Sequence, residues 1–127
     1  MKKTIVTLAL VLGFLMGNSQ IVRHTYMTEV KEWTGNKWET TSTNYDTDIK
    51  VTIFHNTMYI EAKKDMTINF KKEKSSISGE GWEGVRLNGI DDSDRECCVD
   101  IVRYSSGGSS VNLIYFDLDF LIKYHFK

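Results

Sequence analysis

Four acidic side chains, Asp91, Asp92, Asp94 and Glu96, crowd into one six-residue stretch of the chain. Calcium takes roughly six to eight oxygen ligands, and alternating acids on a loop supply several. These four are therefore the candidate metal ligands, with a solvated acidic turn as the simpler reading. Arg95 sits inside the cluster, and the sharp-turn glycine and later ligands of an EF-hand are missing. Asp117 and Asp119 form a second acidic pair. On one strand they share a face about 7 Å apart, a separation that suits paired-carboxylate hydrolysis when a cleft surrounds it. His24, His55 and His125 are far apart and show no zinc spacing. His55 reads as a turn residue and His125 as an exposed one. The glycines at 79–84 and 107–108 lack the lysine and helix of a phosphate-binding loop.

Cys97 and Cys98 are the two cysteines, and they are adjacent. Neighbours on a strand point to opposite faces, so one thiol should be buried and one near the surface. A strained vicinal disulfide and an intermolecular bond through Cys98 are the alternatives. Trp33, Trp38, Tyr26, Tyr45 and Trp82 are not all absorbed by the strand pairs that build a core. Exposed aromatics favour contact with proteins or sugars. The competing reading is that the first hairpin folds back and buries them.

These residues must be positioned by strands. No sustained helical periodicity appears, whereas alternation and turn signals recur throughout. In residues 111–126 the even positions from Ile114 to Phe126 are all apolar, which predicts one long strand whose even face floors the core. At sixteen residues it would span about 53 Å, so it should bend near residues 117–119. Its register against residues 97–104 should set Ile101 opposite Ile114, with Cys97 inward and Cys98 outward near Asp117. Residues 20–33 begin a strand. Gly35-Asn36 turns it back, placing Trp33 opposite Trp38 and Glu32 opposite Glu39, on an edge or flap. Across His55-Asn56, Ile53 should face Met58, Val51 Ile60, and Lys50 Glu61. A third strand from Met66 should set Ile60 against Ile68. The charge run at 71–74 reads as a solvated strand end and turn. Strands over 75–82 and 85–90 follow, their glycines marking bends or close backbone approach.

The chain has 127 residues, enough for one domain with a core. Lys2 and Lys3, an apolar run of about a dozen residues and the small residues Gly17 and Ser19 give the layout of a signal peptide over residues 1–19. The run is too short to span a membrane, which takes about 20 apolar residues. Residues 20–127 then form a single β domain. Cleavage leaves fourteen basic against seventeen acidic residues, a net charge of −3. That balance argues against nucleic acid, which needs a concentrated basic patch.

The lysine-led start ending in Ser-Gln, the short alternating strands IKVTIF, MYIEA and MTINF, the Gly-Ile-Asp turn before Cys-Val-Asp-Ile-Val and the final Tyr-x-Asp strand carry a resemblance. In layout the chain resembles small exported all-β proteins of the Bacteroidota type. That resemblance implies a periplasmic or secreted location and brings no catalytic residues.

The expected fold is an all-β antiparallel meander of eight or nine short strands, curling into a small barrel or half-barrel. The expected function is an exported, non-enzymatic binding module for a small apolar ligand, a glycan or a protein partner in the envelope. A structural protein acting through strand edges or Cys98, and a hydrolase using paired carboxylates, are the alternatives. No cofactor is implied, and the domain does not span the membrane after signal cleavage.

Overall fold

The computed structural model describes residues 20–45 and 48–127; the expected signal peptide lies outside them. The fold is all-β. Its strands are β1 (Ile21–His24), β2 (Met27–Trp33), β3 (Trp38–Tyr45), β4 (Lys50–Phe54), β5 (Thr57–Glu61), β6 (Met66–Gly79), β7 (Trp82–Asp91), β8 (Glu96–Tyr104), β9 (Ser109–Tyr115) and β10 (Phe120–Phe126). They form one antiparallel sheet in the order β1-β4-β5-β6-β7-β8-β9-β10-β2-β3.

This order forces curvature. β1 and β2 are separated by only Thr25 and Tyr26, yet lie eight strand steps apart in the sheet. A flat sheet would hold them about 38 Å apart at ~4.8 Å per step. The link from His24 to Met27 reaches at most about 11 Å. The sheet therefore curls into a half-barrel whose open side is bridged by this stretch. Consecutive amides mark the bridge. The Thr25 N–H donates to Ile49 O (2.9 Å), at one end of the sheet, and the Tyr26 N–H donates to His125 O (3.1 Å), at the other. Residues 20–33, expected as one strand, are thus two strands with a break at 25–26, and the total is ten.

The inward faces build one core. Val51, Ile53, Met58 and Ile60 come from the β4–β5 hairpin, Ile68 from β6, and Val85 and Leu87 from β7. Cys97 and Val99 come from β8, Val111, Leu113 and Tyr115 from β9, and Tyr124 and Phe126 from β10. The β4–β5 register has Ile53 opposite Met58, Val51 opposite Ile60 and Lys50 opposite Glu61, as its cross-strand pairs predict. Trp33 faces Trp38 and Glu32 faces Glu39, and β3 is the outer strand of its end of the sheet.

Four expectations are corrected. Residues 111–126 are not one bent strand but the hairpin β9–β10, turning through a single 3-10 turn at Phe116–Leu118 with Asp119 in the left-handed region (φ 53°). The turn changes the parity of the pattern. Val111, Leu113 and Tyr115 point inward before it, and Phe120, Ile122, Tyr124 and Phe126 after it. Phe116 and Leu118, which extended the even run, are each 52 % exposed. Second, β9 pairs with β8 three residues away from the expected register, with Ile101 opposite Val111 and Cys98 opposite Ile114.

Third, β6 pairs with β5 two residues away from the expected register, with Ile60 opposite Met66 and Met58 opposite Ile68. The intervening loop runs from Ala62 to Asp65, and within it the Asp65 carboxylate accepts the Ala62 N–H (3.2 Å). A shift of two keeps every side chain on its face. Fourth, the charge run at 71–74 lies inside β6, at a bulge between Phe70 and Lys74, and Trp82 opens β7 instead of closing the strand before it. A bulge absorbs extra residues without breaking the strand, so Lys71 reaches Glu96 (2.8 Å). At Gly84, a Cβ would lie 2.1 Å from Ile101 O, so β7 and β8 approach where only glycine fits.

Candidate functional site

The acidic cluster is a structural turn. Asp91 ends β7 and is 7 % exposed. Its Oδ1 accepts the N–H groups of Ser93 and Arg95, each at 2.9 Å, and its Oδ2 accepts the Tyr115 hydroxyl at 2.7 Å. Burial pulls its pKa upward. The Arg95 and Ser93 N–H groups, the Tyr115 hydroxyl and the Arg95 charge outweigh that, and the net shift is downward. Asp92 accepts the Thr67 N–H (3.3 Å), Asp94 occupies the left-handed region at φ 61°, and Glu96 pairs with Lys71. Three of the four carboxylates thus have separate partners, and Asp94 serves the turn through its backbone. Among the described residues no group of three or more His, Cys, Asp or Glu side chains is placed to hold a metal ion.

Asp117 and Asp119 occupy the β9–β10 turn, not a shared strand face. The geometry expected of a catalytic D-x-D is therefore absent from them. His55 is in the β4–β5 turn (φ 56°). His125, expected to be exposed, is largely buried and meets the Glu29 carboxylate across the β10–β2 pair. Burial raises the Glu29 pKa, but the His125 and Thr40 hydrogen bonds and the nearby Lys31 charge outweigh it and hold the carboxyl low.

Both cysteines are free thiols on opposite faces. Cys97 is in the core, where burial, and secondarily the Asp91 charge, pushes its pKa up to about 12. Cys98 is half-buried on the outer face and donates to Asn88 Oδ1 (3.2 Å). Burial raises its pKa too, against the opposing pull of Arg86. Neither sulfur is an activated thiolate.

The five aromatics do not converge. Trp33 and Trp38 pack edge-to-face at the tip of the β2–β3 hairpin, their ring centroids 5.5 Å apart. Tyr45 lies at the other end of that hairpin, opposite Met27, and is well exposed. Tyr26 sits at the bridge, with the Lys127 ammonium 5.7 Å from its ring centroid. Trp82 is on the β6–β7 hairpin, where it packs against Gly79.

What the fold does create is a cleft at the mouth of the curl, with a volume of about 380 Å³. Its floor comes from strands far apart in sequence: Ile21 of β1, Val51 and Ile53 of β4, Ile101 of β8, Val111 of β9 and Phe126 of β10. Pairing places them on the inward face, since Ile21 opposes Ile53 and Ile101 opposes Val111. Arg23 and Arg103, two residues beyond Ile21 and Ile101, follow the same alternation and stand at the rim with Lys127. Among the described residues, no Asp or Glu lines this cleft. A groove of about 600 Å³, lined by Trp82, Glu83 and Tyr104, shares Arg103 and Gly108 with it.

The sequence reading missed this site, because its members are scattered from residue 21 to residue 127. The available signal was the inward parity of Arg103 after Cys97, Val99 and Ile101, where an apolar series ends in a cation. Comparison with protein-family models, curated proteins and solved structures finds no match for this chain.

Proposed function

We propose that the chain is an exported binding module that takes a small apolar ligand at the mouth of the half-barrel. The observation that carries this is the cleft itself, whose floor of Ile21, Val51, Ile53, Ile101, Val111 and Phe126 is open to solvent. Its volume falls within the roughly 300–1,000 Å³ of small-molecule pockets, and small β-barrels commonly hold one ligand in this position. The separated acids and protonated thiols favour binding over catalysis.

Titration with N-phenylnaphthylamine, a neutral probe that brightens in apolar surroundings, tests this reading. Saturable enhancement is expected. Ile21→Trp, which fills the cleft from the peripheral strand β1, should weaken it about tenfold while leaving the melting curve close to that of the parent. Absence of saturable enhancement, or enhancement indifferent to Ile21→Trp in a folded variant, overturns it.

A second reading rests on the β3 edge. Trp38–Tyr45 is paired on one side only, and all of it beyond Trp38 is exposed. An open edge is a template for strand addition by a protein partner. Exchange protection of the β3 amides on mixing with envelope proteins would support it; unchanged exchange would remove it.

A further inference from the structure

Building on the proposed ligand cleft, we infer that its ligand is an anionic amphiphile, a single alkyl chain ending in a carboxylate, whose head group is held by Arg23 and Arg103. The argument comes from charge placement. The rim carries Arg23, Arg103 and Lys127, and no Asp or Glu side chain is in the lining. Three other strand-borne cations are paired with an acid: Arg86 with Asp100 (2.7 Å), Lys71 with Glu96 (2.8 Å) and Lys50 with Glu61 (3.5 Å). Arg23 donates only to its neighbour Val22 O (3.0 Å), and neither it nor Arg103 forms an ion pair with an acid among the described residues.

Two guanidiniums from different strands therefore line the same opening, neither held in an ion pair among the described residues. Arg23 lies on β1, opposite Val51, and Arg103 on β8, between Ser109 of β9 and Glu83 of β7, with which it forms no ion pair. Guanidinium offers paired donors that match a carboxylate, and charge-assisted hydrogen bonds are stronger than neutral ones. Directly beneath the rim the lining turns aliphatic, with Ile21, Val51, Ile53 and Ile101. A cationic rim above an aliphatic floor is complementary to a molecule with an anionic head and a short alkyl tail. The volume suits a chain of about eight to twelve carbons.

The test is displacement of N-phenylnaphthylamine by decanoate and by decan-1-ol, which share a tail and differ in head charge. Decanoate is expected to bind about five- to tenfold more tightly, and added salt should narrow that gap without weakening the alcohol. Arg103→Gln and Arg23→Gln should each lower decanoate affinity toward that of the alcohol and leave the alcohol unchanged. Lys64→Gln, in the β5–β6 turn, controls for net charge and should alter neither. Equal affinity of acid and alcohol overturns the inference while leaving the apolar cleft standing. So does a preference for acid that survives both arginine substitutions, or probe binding that neither compound displaces. Failure of the probe itself to bind removes the underlying reading instead.

Discussion

The Tyr115 hydroxyl donates to the Asp91 carboxylate across 2.7 Å of buried space, joining the end of β9 to the end of β7. This bond, with the two turn amides on the other oxygen, fixes the acidic turn against the core. Tyr115→Phe removes one bond to a buried charge and should cost about 1.5–3 kcal/mol near neutral pH.

The same carboxylate predicts a pH dependence. The folded pKa of Asp91 lies below its ordinary 3.8. Its contribution is therefore complete above the unfolded value and is lost as pH falls through the folded one. Urea unfolding of the parent should show stability declining below about pH 4. Asp91→Asn should be less stable at neutral pH and show a shallower acid decline. An identical acid slope in the two proteins would contradict this.

The β9–β10 hairpin makes a contrast between two leucines that one long strand would not. Leu113 is fully buried on the inward face, and Leu118 is 52 % exposed in the turn. Leu113→Ala should cost about 2–5 kcal/mol, and Leu118→Ala less than about 0.5 kcal/mol. Equal costs in denaturant titrations would restore the single-strand reading.

Gly84 tests the tightest strand contact. A methyl group there meets the Ile101 carbonyl at 2.1 Å, a backbone atom that moves only with β8. Gly84→Ala should therefore destabilise by more than about 3 kcal/mol. Gly81→Ala meets no atom closer than 3.6 Å but must hold φ at 79°. Its cost should stay near about 1 kcal/mol. Paired thermal melts give the comparison.

The thiols should be inert together but not equally. Near neutral pH, iodoacetamide is expected to modify Cys98 slowly and Cys97 only once the protein unfolds. Mass spectrometry of alkylated native and denatured protein reads both sites. A reducing agent should leave gel mobility unchanged, and a reducible dimer lost in Cys98→Ser would refute that.

The registers of β4–β5 and of the Trp33–Trp38 end of β2–β3 were legible in the sequence; those of β5–β6 and β8–β9, and the long-range geometry, were not. The β4–β5 register could be read because two facing patterns, apolar with apolar and Lys50 with Glu61, agree on a single alignment. The assignment of Cys97 to the core rested on a register with residues 114–118 that is off by three residues, yet Cys97 is in the core. Residues 111–126 misled because a short turn reversed the parity while exposed Phe116 and Leu118 kept the apolar count unbroken. Asp119 supplies the left-handed residue, a role commonly filled by glycine, so the turn lacked its usual signal. The cleft was hidden for a different reason: Arg23 and Arg103 become neighbours of one opening only through the curl of the whole sheet.

The bridge at Thr25 and Tyr26 has a consequence for how the chain reaches this state. Thr28 pairs with Tyr124, and Glu29 meets His125, contacts between the two extremes of the domain. The meander from β4 to β10 assembles from neighbours, hairpin by hairpin, but β2 has no partner strand except β3 until β10 exists. The half-barrel is thus locked by its second strand and its last strand together. A chain stopped short of Phe120 leaves the sheet unlocked along both borders. Non-local contacts of this kind slow folding, and the cleft at the mouth depends on them, since it draws its lining from β1, β4, β8, β9 and β10.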